Sequence, residues 1–276
     1  MVGERKAKSS EDASVRLPPP PWLPLLRRLT EVSPEWAVWK NADRALTVSG
    51  DIDSISPPSD RFLLLGEFSR WAEHYAMGPI FVCRHLPGSV LGVAVRERRE
   101  LVELQLCEEA IFRGSPLFTA NDVTTLVEMD SRGFRRLRPG AEGLLLLFHN
   151  GLKHGGRPAL DGVKAERLVR LLKSDPAGAA AATMLFGTVQ SSAARLTEAV
   201  LSGNWDRRAA LRVELWSLAR ARKNPSLLAE RTLYRLRGSR YCPLLPVLRT
   251  GRVIGTDVDR LTRRAYQTHE AVDDVA

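Results

Sequence analysis

The sequence has few cysteines and no long hydrophobic run. Its 276 residues include only three cysteines, Cys83, Cys107 and Cys242, and no two of them form a CxxC pair. Such an odd and widely spaced set of thiols supports neither a disulfide framework nor a cysteine-based zinc site, so we expect a reducing, cytoplasmic location. No apolar stretch reaches the roughly 18 residues that cross a bilayer, and no signal-peptide core follows the basic start. We therefore expect no membrane partner.

The composition is that of a globular protein with one polar end. Hydrophobic residues make up 44% of the chain and charged residues 26%, and the length is enough for one large domain or two ordinary ones. Residues 1–21 are polar and charged and end in "LPPPP", which predicts a disordered tail. No internal repeat is present.

Positive charge is concentrated late in the chain. The net charge is +9, and residues 207–252 alone contain 12 basic and two acidic side chains. A block of this kind favours phosphates, nucleotides or RNA as partners. The alternative is that these arginines only cover solvated helix faces, because no aromatic and basic platform repeats along the segment.

The pattern of the chain changes near Pro158 and predicts an α+β protein. Before it, short β-like runs such as "DIDSI", "VLGVAV" and "LVELQL" surround an amphipathic helix over 59–76, and "TANDVTTLVEMD" predicts a further helix. After it, the periodicity is helical throughout. We therefore expect a small mixed-sheet domain over 22–158 and a helical domain over 159–276.

Two carboxylates stand one residue apart in "GDIDSI", where Asp51 and Asp53 follow Gly50. In a strand, residues i and i+2 face one side, so these like charges lie about 6–7 Å apart and repel unless water or a divalent cation lies between them. A third acid, Glu103, lies in the middle of "LVELQL" and is costly to bury unless it is paired or metal-bound. Three acids on adjacent strands would form an oxygen cage suited to Mg²⁺.

The order of strand, "GDIDSI", helix, strand and later strand with a central acid resembles the nucleotidyltransferase fold of DNA polymerase β-like enzymes and antibiotic nucleotidyltransferases. The resemblance covers roughly residues 20–160, and "VWKN" with "GDIDSI" is most similar to a subgroup of bacterial nucleotidyltransferases. It matches Asp51 and Asp53 to the D-x-D pair of the family. Glu103 is the candidate for the third acid.

The chain departs from the family pattern at Lys40 and Asn41, which stand where a Gly-Ser pair is expected. The family uses that pair to contact the β- and γ-phosphates of the nucleotide. By resemblance, Lys40 would contact a phosphate as a point charge and Asn41 would donate to a phosphate oxygen. Arg44, a few residues later, is either a further phosphate contact or part of a surface ion pair.

The resemblance implies a Mg²⁺-dependent nucleotidyltransferase that uses ATP or another NTP. Asp51, Asp53 and Glu103 would hold the metals, and Glu103 would also draw the proton from the acceptor hydroxyl. The acceptor would be a small metabolite, an antibiotic-like molecule or the 3′ end of a tRNA, bound by the helices of 159–276. The alternative is a catalytically inactive protein of this fold that binds RNA or a protein.

Overall fold

A mixed β-sheet forms the centre of the protein. The structure, a computed structural model, describes residues 18–47, 51–84, 88–97, 100–160, 162–227, 229 and 242–245. Most of the predicted tail over 1–21, and most of the chain after residue 227, lie outside these residues. The described strands are β1 (Ala37–Lys40), β2 (Ile52–Ile55), β3 (Ile80–Arg84), β4 (Ser89–Val95), β5 (Leu101–Cys107), β6 (Glu109–Phe112), β7 (Ser115–Thr119), β8 (Val127–Met129), β9 (Arg135–Leu137), β10 (Leu152–Lys153), β11 (Arg157–Pro158) and β12 (Cys242–Leu245).

Helices cover both faces of this sheet, which makes the protein a mixed α+β structure. Short 3₁₀ helices over Pro58–Asp60, Asn121–Leu126 and Thr183–Val189 complete the connections. The described α-helices are α1 (Trp22–Val32), α2 (Ala42–Thr47), α3 (Arg61–His74), α4 (Pro139–His149), α5 (Gly162–Ser174), α6 (Pro176–Ala182), α7 (Gln190–Leu201) and α8 (Arg207–Ala221).

The main sheet has eight strands in the order β12-β3-β4-β5-β2-β1-β9-β8, and β6-β7 and β10-β11 form two separate hairpins. β5 and β2 are parallel neighbours in the middle, with antiparallel pairs β4-β5 and β1-β2 on either side. One face of these two central strands is mainly apolar, with Ile52, Val102, Leu104 and Leu106, and the other face carries the polar Asp53, Glu103 and Gln105.

Side-chain alternation divides the apolar core into two main clusters. One face of the sheet, with Ile52 and Leu104, packs on α1 and α3, where the rings of Trp22 and Trp71 stack with centroids 4.9 Å apart. The opposite face packs on α4. That helix is buried at every position from Gly140 to Phe148, because it lies between the sheet and α5 and α6.

The cluster around α4 joins the two predicted segments of the chain. Trp39 and Phe148, which precede the predicted boundary at 158/159, share it with Leu172, Phe186 and Val213, which follow that boundary. The rings of Phe148 and Phe186 lie 4.3 Å apart. Residues of the first segment and helices of the second therefore bury their apolar faces against one another.

One predicted helix is wrong in type. The segment "TANDVTTLVEMD" forms a short 3₁₀ helix over Asn121–Leu126 and then the strand β8, which pairs with β9. Separately, none of the helices within the described ranges is long and apolar enough to cross a membrane.

The close approach of α4 and α6 gives a test of this packing. A Cβ atom added at Gly140 would lie 1.8 Å from the carbonyl oxygen of Asp175 and 2.5 Å from the backbone nitrogen of Ala179. We expect Gly140→Ala to lower the free energy of unfolding by about 1–3 kcal/mol, because a backbone cannot yield as a side chain can. Urea denaturation measures the change.

Gly66→Ala is the matched control, because Gly66 lies within α3 and its added Cβ would meet only the end of Arg70, at 3.9 Å. This substitution should stabilise the protein by about 0.5–1 kcal/mol, since alanine is the better helix former. Equal effects of the two substitutions would contradict the α4–α6 contact.

Candidate functional site

Two of the three predicted acids, Asp53 and Glu103, lie on the same face of adjacent parallel strands. β2 pairs with β5 so that Asp53 lies opposite Gln105, and Glu103 comes two residues before Gln105. Side chains two residues apart share a face, so both carboxylates are on one side of the sheet. Both are buried, with 8% and 4% of their surface exposed. Asp51 is half-buried and immediately precedes β2.

The carboxylate of Asp53 is bound by Lys40 and Asn41, the two residues that were predicted to contact a phosphate. The Nζ of Lys40 lies 3.3 Å from Asp53 Oδ1, and the side-chain amide of Asn41 donates to Asp53 Oδ2 at 3.2 Å. Lys40 and Asp53 both have side chains that are more than four-fifths buried. The ion pair therefore lies in a region of low dielectric, where each charge strongly favours its partner.

A β-bulge in β1 is what brings Lys40 to this face. Val38 pairs with Ser54, so regular antiparallel pairing would put Trp39 opposite Asp53 and Lys40 opposite Ile52. The register instead shifts after Val38, and Lys40 itself pairs with Asp53. One extra residue reverses which face a side chain occupies. Lys40 Nζ also lies 4.6 Å from the centre of the Trp39 ring, which adds a cation–π contact.

Asn41 connects Asp53 to the helices beyond the sheet. Its backbone has a φ of 65°, a left-handed conformation that asparagine tolerates better than most residues. Its N–H donates to Glu142 Oε1 on α4 at 3.0 Å, and its side-chain oxygen accepts a hydrogen bond from Arg167 on α5. The backbone N–H, the side-chain nitrogen and the side-chain oxygen of Asn41 therefore all form hydrogen bonds at the same time.

Arg44, the remaining predicted phosphate contact, lies apart from this group. It is exposed on α2. Within the part of the chain that the structure describes, no contact links its side chain to Asp53. Lys40, Asn41 and Asp53 are thus brought together as a unit, and Arg44 is not.

Cys107 lies on the same face as Asp53 and is unreactive. Burial raises the pKa of its thiol to about 11, and the charge of Asp53 adds to this effect. The thiol lies 3.7 Å from the hydroxyl of Ser89, which also accepts a hydrogen bond from Gln105 at 2.9 Å. Because the thiolate is the nucleophilic form, this cysteine is a packing residue.

The acids match Mg²⁺ in the type of donor and only partly in arrangement. Carboxylate oxygens are the ligands that this ion prefers, and Asp53 already accepts a cation, the ammonium group of Lys40. Among the described residues, however, no three His, Cys, Asp or Glu side chains gather as a metal site. A metal ion at Asp53 Oδ1 would compete with the ammonium of Lys40 for that oxygen.

On the side of Asn41 away from Asp53 lies a network of ion pairs whose central members, Arg136 and Glu142, are buried. Glu142 Oε2 accepts from Arg136 at 2.9 Å, and Glu142 Oε1 accepts from Arg167 at 2.6 Å. Arg136 also pairs with Asp43 at 3.2 Å and with Asp130 at 3.4 Å. The network and the Lys40–Asp53 pair contain four cationic and four anionic side chains, namely Lys40, Arg132, Arg136, Arg167, Asp43, Asp53, Asp130 and Glu142.

The pKa values in this network follow from its charge balance. Burial lowers the pKa of Arg136, but the carboxylates of Glu142 and Asp43 more than offset this, and the pKa is raised above its ordinary value. The hydrogen bond from Arg132 lowers the pKa of Asp130 to about 2. Arg136 and Asp130 are therefore both charged at neutral pH.

Glu142 is the main residue that the sequence interpretation missed. It lies in the first turn of α4, within the apolar "PGAEGLLLLFH". An acid inside an apolar run is the same signal that singles out Glu103, and it was available here. Nothing in the sequence near Arg167 distinguishes it from the other arginines of the helical segment.

No protein-family model matches the chain, and searches of curated proteins and of solved structures return no match. The chemistry of the site therefore has to be argued from its own residues.

The low pKa of Asp130 predicts how stability depends on pH. Its folded-state pKa of about 2 lies below the ordinary 3.8, so its stabilisation is complete above about pH 4 and is lost as the pH falls towards 2. We expect Asp130→Asn to cost about 1–2 kcal/mol at pH 7, after allowance for solvent screening. Urea denaturation between pH 7 and pH 3 should show the difference from wild type shrinking below pH 4. A difference that is constant with pH would contradict this assignment.

Proposed function

We propose that the protein is a Mg²⁺-dependent nucleotidyltransferase that moves a nucleoside monophosphate from an NTP to an acceptor hydroxyl. The observation that carries the proposal is the pair of buried acids, Asp53 and Glu103, on one face of neighbouring parallel strands, with Lys40 and Asn41 bonded to Asp53. Asp51, one residue before β2, supplies the third acid of the proposed set.

The proposed roles follow from the chemistry of the donors. Asp51, Asp53 and Glu103 would hold Mg²⁺, which when bound neutralises the charge of the triphosphate and of the leaving pyrophosphate. Lys40 supplies a mobile point charge for a phosphate, and Asn41 supplies amide protons. If the resemblance to nucleotidyltransferases holds, these two residues take the place of the Gly-Ser pair of that family.

The transfer is a balanced displacement at phosphorus. The acceptor oxygen forms a bond to the α-phosphorus while the bond from that phosphorus to the bridging oxygen breaks, and pyrophosphate leaves. The hydroxyl proton passes to Glu103, which is buried at 4% exposure and lies on the same face as Asp53.

The acceptor is proposed as a small hydroxyl compound or the 3′ end of an RNA. Exposed arginines on α8, including Arg208 and Arg212, support an acceptor with phosphate groups. The described stretch from Arg207 to Leu227 has Glu214 as its one acid.

A second candidate function is a catalytically inactive protein of this fold that binds RNA or a protein. The observation in its favour is that both oxygens of Asp53 are already bonded, to Lys40 and to Asn41. In that case the carboxylate is a structural partner of the ammonium, and divalent cations have no effect on binding.

Asp53→Asn separates the two candidates. If the protein is an enzyme, transfer of label from each of the common NTPs to tRNA or to an aminoglycoside mixture should fall roughly 100-fold or more, since several kcal/mol of charge stabilisation are lost. We also expect a loss of about 1–3 kcal/mol in stability, because Lys40 loses its charged partner. Activity is therefore measured well below the melting temperature of the variant.

Glu67→Gln is the matched control for this substitution. Glu67 is a buried carboxylate on α3, paired with Arg28 at 3.2 Å and Arg70 at 2.6 Å, and α3 covers the opposite face of the sheet. Its loss should cost stability and leave transfer intact. Label transfer that is independent of Mg²⁺ and unchanged in Asp53→Asn would reject the proposed mechanism, and nucleotide binding of that kind without label transfer would favour the inactive protein.

Lys40→Ala gives an independent prediction for the same site. Because the ammonium of Lys40 occupies Asp53 Oδ1, its removal should raise the affinity for bare Mn²⁺, used as a spectroscopic probe of the Mg²⁺ site, by roughly 3–10-fold. The affinity for a non-hydrolysable ATP analogue with Mg²⁺ should fall, since a phosphate partner is lost. Paramagnetic resonance and calorimetry measure the two affinities.

The exposed Lys153 of β10 is the control, and Lys153→Ala should change neither affinity. If Mn²⁺ affinity in Lys40→Ala stays at the wild-type value, Lys40 and the metal do not share Asp53.

A further inference from the structure

The carboxylate of Glu142 is buried at the meeting point of three elements. Only 2% of the residue is exposed, and its two oxygens accept from Arg136 on β9, from Arg167 on α5 and from the backbone N–H of Asn41. Removing a carboxylate from water is costly unless its lone pairs are satisfied by charged or backbone donors. Glu142 meets that condition only while all three elements hold their present arrangement.

Asn41 transmits this arrangement to Asp53. Its backbone is held in the left-handed conformation by the bond to Glu142, and its side-chain oxygen is held by Arg167, which Glu142 also binds. With the oxygen fixed, the amide nitrogen can point only the other way, and it donates to Asp53 Oδ2 at 3.2 Å. The carboxylate of Glu142 thus orients the Asn41 amide in two ways, directly through the backbone N–H of Asn41 and indirectly through Arg167.

We propose that Glu142 is a positioning residue for the site: through Asn41 and Arg167 it sets the orientation of the Asp53 carboxylate. This inference rests on the proposed function, because it names the residue that prepares Asp53 to bind a cation. Glu142 itself contacts neither metal nor nucleotide in this assignment. Residues that orient a metal-binding carboxylate typically change metal affinity by roughly 10–100-fold when they are replaced.

Through Arg167, the helices that follow the sheet contribute to the geometry of the site. Arg167 lies on α5, past Pro158, and its side chain is about a quarter exposed. If α5 withdrew from α4, Glu142 and Asn41 would lose their shared partner together. The helical segment would in this way contribute to the order of Asp53 without touching it.

The test compares Glu142→Gln with Asp130→Asn. Both substitutions remove a largely buried negative charge that pairs with Arg136, but Asp130 has no contact with Asn41 among the contacts of the described residues. Glu142→Gln should lower Mn²⁺ affinity by roughly 10–100-fold and lower kcat more than it changes the KM for MgATP. Asp130→Asn should leave both within about 3-fold of wild type, since it keeps Glu142 in place.

A readout that needs no metal separates this proposal from the proposed function. The side-chain amide protons of Asn41, followed by NMR, should exchange with solvent faster in Glu142→Gln and at the wild-type rate in Asp130→Asn. Unchanged exchange in Glu142→Gln would overturn the positioning role. Faster exchange in a protein whose wild type shows no Asp53-dependent Mn²⁺ binding would reject the metal-dependent function and keep Glu142 as the residue that orients Asn41.

Asn41→Gly covers the case in which Glu142→Gln does not fold. Glycine accepts a φ of 65° without strain and keeps the N–H that donates to Glu142, but it removes the amide that binds Asp53. Relief of the left-handed backbone partly offsets the lost hydrogen bonds to Asp53 and Arg167, so we expect a moderate fall in melting temperature, with Mn²⁺ affinity reduced roughly 10–100-fold. Wild-type Mn²⁺ affinity in Asn41→Gly overturns the proposal.

Discussion

One extra residue in β1 determines the geometry of the whole site. The bulge after Val38 turns Lys40 onto the face of Asp53, where regular pairing would have turned it to the opposite, apolar face. An ammonium on that second face would point towards the apolar cluster that contains Val38 and Ile52. The bulge also ends the strand at a left-handed Asn41, which then reaches Glu142 and Arg167.

Much of the fold was predictable where a pattern is repeated over several residues. The strands β4 and β5 and the helices α3 and α7 lie where the periodicity put them. The helix expected over Thr119–Asp130 was wrong because its short run of apolar residues fits either period, and pairing with β9 favoured the strand β8. The helix α1 was not predicted, although it lies within the predicted mixed-sheet domain over 22–158 and its buried residues Trp22, Leu25, Leu26 and Leu29 follow helical spacing.

The only part of the site that could be predicted from the sequence is which side chains share a face of the same strand. The alternation of side chains along a strand predicts that Asp51 and Asp53 share one face and that Glu103 and Gln105 share one face. The pairing of Asp53 with Gln105 is a contact between distant parts of the chain, which alternation does not predict. The bulge that positions Lys40 could not be predicted from "WAVWKN", because a bulge is defined by the register of β1 against its partner strand β2. Glu142 could have been suspected from its apolar surroundings, whereas Arg167 could not, because its role depends on how α5 packs on α4.

The charge balance around Asp53 favours a ligand that brings both signs of charge. A bare cation that binds Asp53 Oδ1 would compete with the Lys40 ammonium, and a displaced ammonium would remain mostly buried with no anion in exchange. A nucleotide that carries its own divalent cation solves both problems, because Asp53 exchanges an ammonium for a metal ion while Lys40 exchanges a carboxylate for a phosphate. Lys40 and Asp53 would then each have an oppositely charged partner both before and after the exchange. The ion pair that closes the site in the free protein is therefore compatible with catalysis, and it would couple the binding of metal to the binding of nucleotide.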